Sequence, residues 1–320
     1  RWCRLKEVFP GESDSQFVEE TLKDNAELVN IIRRQFQLLR PEMFRKVKKL
    51  ESGEEIDIDA AIEAVIDKKC SLTPSEKVYQ RRDKRERDVS ALFLLDVSAS
   101  TDEEVEKNRI LLPHDDPSWQ DDKYSSARGW GGPPPPPPKP DAKPKRIIEV
   151  EKEALVLMAE ALESIGDSYA IFGFSGYGRE NVEFFTIKNL NERYTDKVKN
   201  RVGAIKPQRS TRMGPAIRHA ISKLDKADSR LKLLILLSDG YPQDYDYGKD
   251  RTSKEYGIQD TAKALHEARE KNINPFLITV DPAGNDYLKE MCARDDYMVI
   301  EKVSSLPQEL LRTYRTLTYR

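Results

Sequence analysis

Two short apolar runs, each followed within two residues by an aspartate, most constrain how this chain can fold. They are residues 91–95, which precede Asp96, and residues 233–237, which precede Asp239. A continuous apolar run of this length between polar residues is typical of a strand buried on both faces. In open α/β folds, the residues that follow such strands lie at the carboxyl edge of the sheet, where ligands bind. The two aspartates are therefore the first candidates for a binding site.

The second half of the chain alternates between strand and helix patterns. This alternation predicts an α/β fold with a doubly wound, mostly parallel sheet and helices on both of its faces. Two neighbouring strand patterns are joined by Gly176-Tyr177-Gly178, which predicts an antiparallel pair at one edge of the sheet. The strand patterns are 168–174, 182–187, 231–237, 274–280 and 297–302, and the helix patterns are 147–165, 194–205, 215–224, 258–271, 286–292 and 306–317.

The first 88 residues are predicted to form an α-helical N-terminal segment. Apolar residues recur at helical spacing between residues 14 and 68, with one helix restarting after Pro41 and another beginning near Asp57. Residues 71–88 carry mixed charges and are interpreted as a connector. The predicted division is a helical segment with its connector, 1–88, and an α/β domain, 89–320.

The α/β pattern is interrupted soon after Asp96. A helical stretch is predicted from there to about residue 112, followed by a Pro/Gly-rich insertion at 113–145 that contains six prolines, Pro133–138. This composition cannot bury enough apolar area to fold, so the insertion is expected to be disordered or polyproline II. It is either a docking ligand for a partner or a spacer in a tolerant loop, and the spacer is favoured.

Composition excludes several classes of function. Lys and Arg number 54 and Asp and Glu number 56, so the net charge of −2 predicts no general affinity for nucleic acid or anionic membranes. No apolar run approaches the roughly 18 residues of a membrane span, and no signal-peptide pattern is present. Three widely spaced cysteines, Cys3, Cys70 and Cys292, indicate reduced thiols. We therefore expect a cytoplasmic protein.

Five oxygen-bearing side chains follow strands or precede a helix and could share one metal ion. Asp96, Ser98 and Ser100 are spaced two apart in one loop, Thr211 precedes a helical stretch, and Asp239 follows the second apolar run. Hydroxyl and carboxylate oxygens of low total charge suit Mg²⁺, with Mn²⁺ or Ca²⁺ as alternatives. A metal with few direct carboxylates keeps an open position for an acidic side chain of a partner, which predicts metal-dependent protein binding.

Other interpretations of the same residues remain open. Asp96 and the two serines could simply cap a helix, although three elements in the right order favour the metal site. A phosphatase with Asp96 as nucleophile is conceivable. Ser98 has no nucleophile-elbow motif around it, and His219 is expected to be a packing or surface residue of its helix. No phosphate-binding loop motif occurs, so ATP binding of that kind is excluded.

The order of an aspartate with two serines, a threonine and a strand-end aspartate resembles the metal-ion-dependent adhesion site of the von Willebrand factor A family. Beyond that general pattern, the chain from about residue 50 to the end is similar to the NorD and CbbO branches of the family. The segments that carry this resemblance are 53–61, 78–82, 87–89, 94–101, 181–185, 210–214, 218–220, 238–240 with Pro242, and 274–281.

The resemblance implies a partner and a role. Proteins of this type work with a MoxR-type AAA+ ATPase, and the implied role is a non-enzymatic adaptor between that motor and a target metalloenzyme, in nitric oxide reductase or Rubisco activation. A chelatase-like subunit that assists ATP-driven metal insertion into a cofactor is the first alternative. An extracellular adhesion domain is the second, and the cysteine usage argues against it.

Overall fold

The computed structural model describes residues 3–11, 15–38, 44–84, 88–105, 145–247, 255–281, 284–292, 296–300 and 302–318. Its strands are β1 (Leu5–Val8), β2 (Phe44–Leu50), β3 (Glu55–Ile56), β4 (Tyr79–Lys84), β5 (Val89–Asp96), β6 (Ser168–Gly176), β7 (Val182–Lys188), β8 (Leu231–Ser238), β9 (Ile273–Thr279) and β10 (Tyr297–Val299). Its helices are α1 (Gln16–Asp24), α2 (Ala26–Leu38), α3 (Ile58–Lys69), α4 (Ile147–Ile165), α5 (Asp196–Ala204), α6 (Met213–Leu224), α7 (Glu255–Glu270), α8 (Gly284–Met291) and α9 (Leu306–Thr318).

A seven-stranded sheet in the order β1-β7-β6-β5-β8-β9-β10 forms the centre of the fold. All neighbouring strands in it are parallel except β6 and β7. Helices α1, α2, α4, α5 and α9 pack on one face and α6, α7 and α8 on the other. The predicted doubly wound, mostly parallel α/β fold is confirmed.

Strand β5 lies in the middle of the sheet because both of its faces are apolar. Its odd-numbered residues Ala91, Phe93 and Leu95 belong to the core under α4, and Leu92 and Leu94 belong to the core under α6. Every residue of β5 is buried. Strand β8 repeats the pattern beside it, so both strands deliver their carboxyl ends to the same edge of the sheet.

The antiparallel pair was predicted correctly, but its position at the edge was wrong. Strand β1 adds to the outer side of β7, with which it is parallel, so β7 is an internal strand. β1 has only four residues, and the middle two are exposed. A strand this short shows no usable periodicity, and its pairing depends on an edge formed almost 180 residues later in the chain.

The N-terminal 88 residues are not purely helical. Helices α1 and α2 are present as predicted, and α2 packs on the main core, where Phe36 stacks on Tyr314 at a centroid distance of 6.2 Å. Helix α3 is also confirmed. However, β2, β4 and β3 form an antiparallel three-stranded sheet where a helix and a connector were predicted. Because β1, α1 and α2 join the main sheet and its core, the predicted boundary at residue 88 does not separate two structural units.

The helix predicted after Pro41 is wrong for a local reason. Phe44, Val47 and Leu50 are three residues apart, which resembles one face of a helix. In the structure the register of β2 against β4 shifts between Val47 and Leu50, and Lys49 has a φ of 58°. This irregularity lets a sequence with helical spacing pair as a strand.

The helix predicted from Asp96 to about residue 112 is replaced, as far as the chain is described, by the short 3₁₀ helix Ala99–Asp102. The amide of Val105 donates to the carbonyl of Lys145 at 2.9 Å, so these two positions are neighbours. The predicted insertion, apart from Lys145, lies outside the described residues. None of the described helices combines the length and apolarity needed to cross a bilayer.

Candidate metal centre

A cleft of about 500 Å³ opens where β5 and β8 end. Four of the five predicted ligands, Ser98, Ser100, Thr211 and Asp239, line this cleft, and Asp96 lies fully buried beneath it. The structure therefore brings together side chains from three segments, the first and last of which are more than 100 residues apart in the chain. Whether they bind a metal stays a prediction.

The loop after β5 holds its polar groups in a fixed arrangement. Asp96 Oδ1 accepts a hydrogen bond from the amide of Ser98 at 3.0 Å, and Asp96 Oδ2 accepts one from the hydroxyl of Ser238 at 2.9 Å. The hydroxyls of Ser98 and Ser100 lie 3.0 Å apart. Asp96 thus anchors the loop from below, and two hydroxyl oxygens meet at the cleft.

The loop that carries Thr211 is tied to three neighbouring segments. Ser210 and Gly176 exchange backbone hydrogen bonds of 2.8 and 2.9 Å, and the amide of Thr211 donates to the carbonyl of Gln243 at 3.0 Å. The carbonyl of Arg209 accepts a bond from the amide of Ala99 at 2.8 Å. These backbone bonds hold the threonine against the serine loop independently of any ligand.

Asp239 is a carboxylate without an ionic partner. Its Oδ1 is buried and has no hydrogen-bond partner. Burial raises the pKa of Asp239, and a hydrogen bond from Ser100 opposes this shift. Burial, followed by the charge of Asp239, raises the pKa of Asp96 to about 7. Within the described part of the chain, neither aspartate forms an ion pair with a lysine or arginine.

Glu151 is a further carboxyl group near these aspartates, and it was not predicted from the sequence. It projects from α4, is 1% exposed, and its Oε2 has no partner. Burial, followed by the charges of Asp239 and Asp96, raises its pKa well above the usual range. A signal was available, because Glu151 lies one helical turn before Ala154 on the apolar stripe of α4, where an acid is out of place.

A buried ion pair next to the cleft was also missed. The guanidinium of Arg212 donates to Asp244 at 2.7 Å and also contacts Asp246, and its ring neighbour is Tyr247 at 4.4 Å. Both carboxylate oxygens of Asp244 accept bonds from the amide of Gly178 at 2.9 Å. Only the fold brings these segments together, and no local motif marks them.

His219 lies away from the cleft, as predicted. Its Nε2 is 2.8 Å from Oε1 of Glu7, and its ring packs edge-on against Phe184 at 4.7 Å.

The donor set fits a hard divalent cation. No group of three His, Cys, Asp or Glu side chains that could hold a metal was found among the described residues, so carboxylates and histidines alone do not form the site. The combination of a buried aspartate, Asp96, and a half-buried one, Asp239, with three hydroxyl-bearing residues supplies only oxygen donors, which Mg²⁺ prefers. The unpartnered Oδ1 of Asp239 is the observation that a cation would explain, because a buried charge without a partner is costly.

The sheet order, the flanking helices and the polar loops at the carboxyl edge define a von Willebrand factor A-type domain. The family model of the von Willebrand factor type A domain matches residues 145–312. The chain belongs to this family, and its similarity to NorD proteins places it among the NorD-type members.

NorD of Brucella melitensis is 32% identical over 91% of this chain, and NorD of Stutzerimonas stutzeri is 30% identical over 86%. An uncharacterised protein of Pseudomonas aeruginosa is 32% identical over 89%. The similarity extends further toward the N-terminus than residue 50, where we expected it to begin, because it covers up to 91% of the chain. The chain spans only 38–40% of the length of these relatives.

Among solved structures, the PilB minor pilin of Streptococcus sanguinis superposes with a TM-score of 0.50 at 14% identity. The likeness covers 76% of this chain and 65% of the pilin. At this level of identity it supports the fold alone.

Proposed function

We propose that this protein is a non-enzymatic adaptor that binds partners through a Mg²⁺-dependent site. Asp96, Ser98, Ser100, Thr211 and Asp239 would hold the ion, directly or through water. Mn²⁺ and Ca²⁺ offer the same preference for oxygen and are alternative occupants. The proposal is supported most by the buried, unpartnered Oδ1 of Asp239 beside the paired hydroxyls of Ser98 and Ser100.

The site is suited to capturing a carboxylate from another protein. When bound, the ion would supply an electrophilic position that an acidic side chain can fill. Arg209 lines the same cleft, is exposed, and can pair with an incoming acid. Thr211 and the serines contribute neutral oxygens, so the ion would keep most of its positive charge for the partner.

Binding is favoured over catalysis by the composition of the cleft. No histidine, cysteine or lysine is present among the described residues that line it, and His219 lies elsewhere. The reactive side chains that do line it are carboxylates and hydroxyls, which are also the oxygen ligands that a hard divalent cation prefers. We infer that turnover is not the role of this site.

The proposed partners are a MoxR-type AAA+ ATPase and a target metalloenzyme. The relatives named NorD support an accessory protein of that type. The process that we propose it serves is nitric oxide reductase or Rubisco activation. The acidic residue bound at the cleft would belong to the ATPase or to its target. All three cysteines are free, in keeping with the cytoplasm as the place of action.

The first test measures metal binding directly. Thermal unfolding in EDTA and in increasing Mg²⁺ is compared for wild type and Thr211→Ala, with Gln243→Ala as the matched control. Gln243 lines the same cleft with a neutral, exposed side chain and is not a proposed ligand. We expect Mg²⁺ to stabilise wild type by about 2.7 kcal/mol at a concentration one hundred times the dissociation constant. The control should respond like wild type and Thr211→Ala much less. An identical response of all three proteins to Mg²⁺ would contradict the site.

The second test addresses the partner. The chain is co-purified with the MoxR-type ATPase encoded nearest to it, in Mg²⁺ and in EDTA, as wild type and as Asp96→Ala. Loss of the complex in EDTA and in the variant supports the metal site as the contact. A complex that survives both conditions would move the ATPase contact elsewhere on the chain. Absence of any complex would remove the ATPase from the proposal.

A further inference from the structure

Helix α3 presents its large apolar side chains to solvent and its alanines to the rest of the protein. Ala60 is 6% exposed, and Ala61 and Ala64 are partly buried. On the opposite side of the helix, four branched side chains are each more than half exposed; this apolar stripe of α3 consists of Ile58, Ile62, Val65 and Ile66. An ordinary amphipathic helix has the reverse arrangement.

The stripe is continuous along the helix, and further exposed apolar residues lie just before and just after it in the chain. Its members are separated by four, three and one residues, so they lie on one face. Ile56, before the helix, and Leu72, after it, are 56% and 61% exposed. Scattered surface apolar residues need no explanation, but a contiguous row of this kind marks an interaction surface.

Charged side chains of β2 lie along the flank of α3. Lys48 contacts Asp59 at 3.1 Å, and Lys49 contacts Glu63 at 3.4 Å. The side of α3 that is turned toward the rest of the protein is the alanine side, so the apolar stripe is the side left open to a partner.

The charges along α3 indicate what covers the stripe. Glu54, Glu55 and Asp59 lie at its amino end, and Lys68 and Lys69 lie at its carboxyl end. In an antiparallel arrangement, the acidic end of one copy lies over the basic end of the other. The dipoles of the two helices then run antiparallel, which is also favourable. The surface is thus complementary to a second copy of itself, which is the requirement of a two-fold interface.

We propose that this chain self-associates through α3 as an antiparallel, two-fold symmetric dimer. Ile62 and Val65 lie at the middle of the interface, and Ile58 of each copy faces the region of Ile66 and Lys69 in the other. The interface uses none of the metal-site residues, so association is independent of Mg²⁺. It goes beyond the proposed adaptor function and does not depend on it.

The expected dimer is of modest affinity. A helix of 12 residues is about 18 Å long, and a stable interface buries about 800 Å² on each copy. The four side chains of the stripe form a small surface, which Ile56 and Leu72 would enlarge at its two ends. We therefore expect a concentration-dependent equilibrium between monomer and dimer.

The first experiment is sedimentation velocity of the full chain over a micromolar concentration series, in EDTA and in Mg²⁺. Wild type should dimerise equally in both. The double variant Ile62→Asp/Ile66→Asp should raise the dimer dissociation constant by about tenfold or more. The matched control is Ile31→Asp, since Ile31 is 53% exposed on another helix, like Ile66. The control should dimerise like wild type, and circular dichroism verifies that all three proteins are folded.

A charge-exchange experiment tests the antiparallel orientation. Lys68→Glu/Lys69→Glu makes both ends of the helix acidic, and Glu54→Lys/Asp59→Lys makes both ends more basic. Each variant alone should associate more weakly than wild type, whereas an equimolar mixture should recover association as heterodimers. A mixture that associates no better than the separate variants would overturn this orientation.

The proposal itself is overturned by either of two results. One is a wild-type chain that stays monomeric across the micromolar series, which includes the case in which only an unlike protein binds the stripe. The other is a dimer that the double isoleucine variant leaves intact. Failure of the Mg²⁺ experiments leaves these results unaffected, so the two proposals fail separately.

Discussion

Two acids in the loop after β8, Asp239 and Asp244, have opposite surroundings. Asp244 accepts bonds from the guanidinium of Arg212 and from the backbone amides of Gly178 and Tyr245. Asp239 has one buried oxygen with no partner, and the negative charges of Glu103 and Asp281 act against its ionisation. Only one of the two acids is therefore electrostatically complete within the described structure.

The difference separates a structural role from a binding role. The bonds of Asp244 compensate its burial, so this side chain fastens the loop after β8 to the loop that carries Thr211. The surroundings of Asp239 leave its charge uncompensated, which a globular fold tolerates where a ligand supplies the missing charge. The ion pair of Arg212 and Asp244 thus helps to position the proposed ligand Thr211, because Arg212 directly follows Thr211 in the chain.

The largest expected effect comes from breaking the ion pair of Arg212 and Asp244. Arg212→Met leaves the fully buried carboxylate of Asp244 without its cation, so we expect a loss of about 3–5 kcal/mol in the free energy of unfolding. Urea denaturation measures it. The control is Arg218→Met, because Arg218 pairs with Asp260 and Glu267 near the surface. An exposed pair of this kind contributes about 0–1 kcal/mol. Equal losses of unfolding free energy in the two variants would show that the buried pair contributes no more than the surface pair.

Neutralising Asp239 should change the free energy of unfolding in the opposite direction, toward higher stability. Asp239→Asn in EDTA at pH 8 is expected to raise the free energy of unfolding by about 2 kcal/mol, because it removes a buried, repelled charge. Burial, then Asp239, raises the pKa of Asp96 to about 7, so wild-type stability falls as the pH rises through 7. The gain should therefore shrink at pH 5.5. Urea denaturation at both pH values provides the measurement, and destabilisation at pH 8 would refute the comparison.

The hydroxyl of Ser238, beneath the site, should affect Mg²⁺ affinity because it orients the proposed ligand Asp96. Ser238 donates to Oδ2 of Asp96, so Ser238→Ala is expected to weaken Mg²⁺ binding by about tenfold without removing a proposed ligand. Isothermal titration with Mg²⁺ measures the change. Ser222→Ala is the control, since its hydroxyl bonds the carbonyl of His219 on an exposed part of α6. Unchanged affinity in Ser238→Ala would mean that Asp96 needs no such support.

The smallest expected effect concerns the glycine that supports Asp244. Gly178 has a φ of +74°, so Gly178→Ala should cost about 1 kcal/mol through backbone strain. Its new Cβ would also approach Tyr245, whose exposed ring can move aside. In EDTA, Gly240→Ala is the control, because nothing lies within 4 Å of its added Cβ and its φ is not positive. Chemical denaturation distinguishes them, and a neutral Gly178→Ala would show that this loop accommodates the strain.

The predicted ligands were found from sequence because each follows a recognisable strand or precedes a helix. The apolar runs before Asp96 and Asp239 are continuous and local, so the carboxyl edge could be located without a structure. Arg212 and Asp244 were missed because nothing in their immediate neighbours reveals that they pair. Glu151 was missed although its place on the apolar stripe of α4 was a local signal. Whether the predicted set binds Mg²⁺ stays a prediction.

The sequence by itself determined the alternation of strands and helices, the two-sided burial of β5 and β8, and the family of the fold. These properties depend on local apolar periodicity, which acts over a few residues and can be recognised directly. Only the tertiary structure decided that β1 forms the edge of the sheet and that β2 pairs as a strand. It also decided that Asp244 meets an arginine while Asp239 does not. Pairing and charge compensation are contacts between distant segments, and their energies exist only once the fold has brought those segments together.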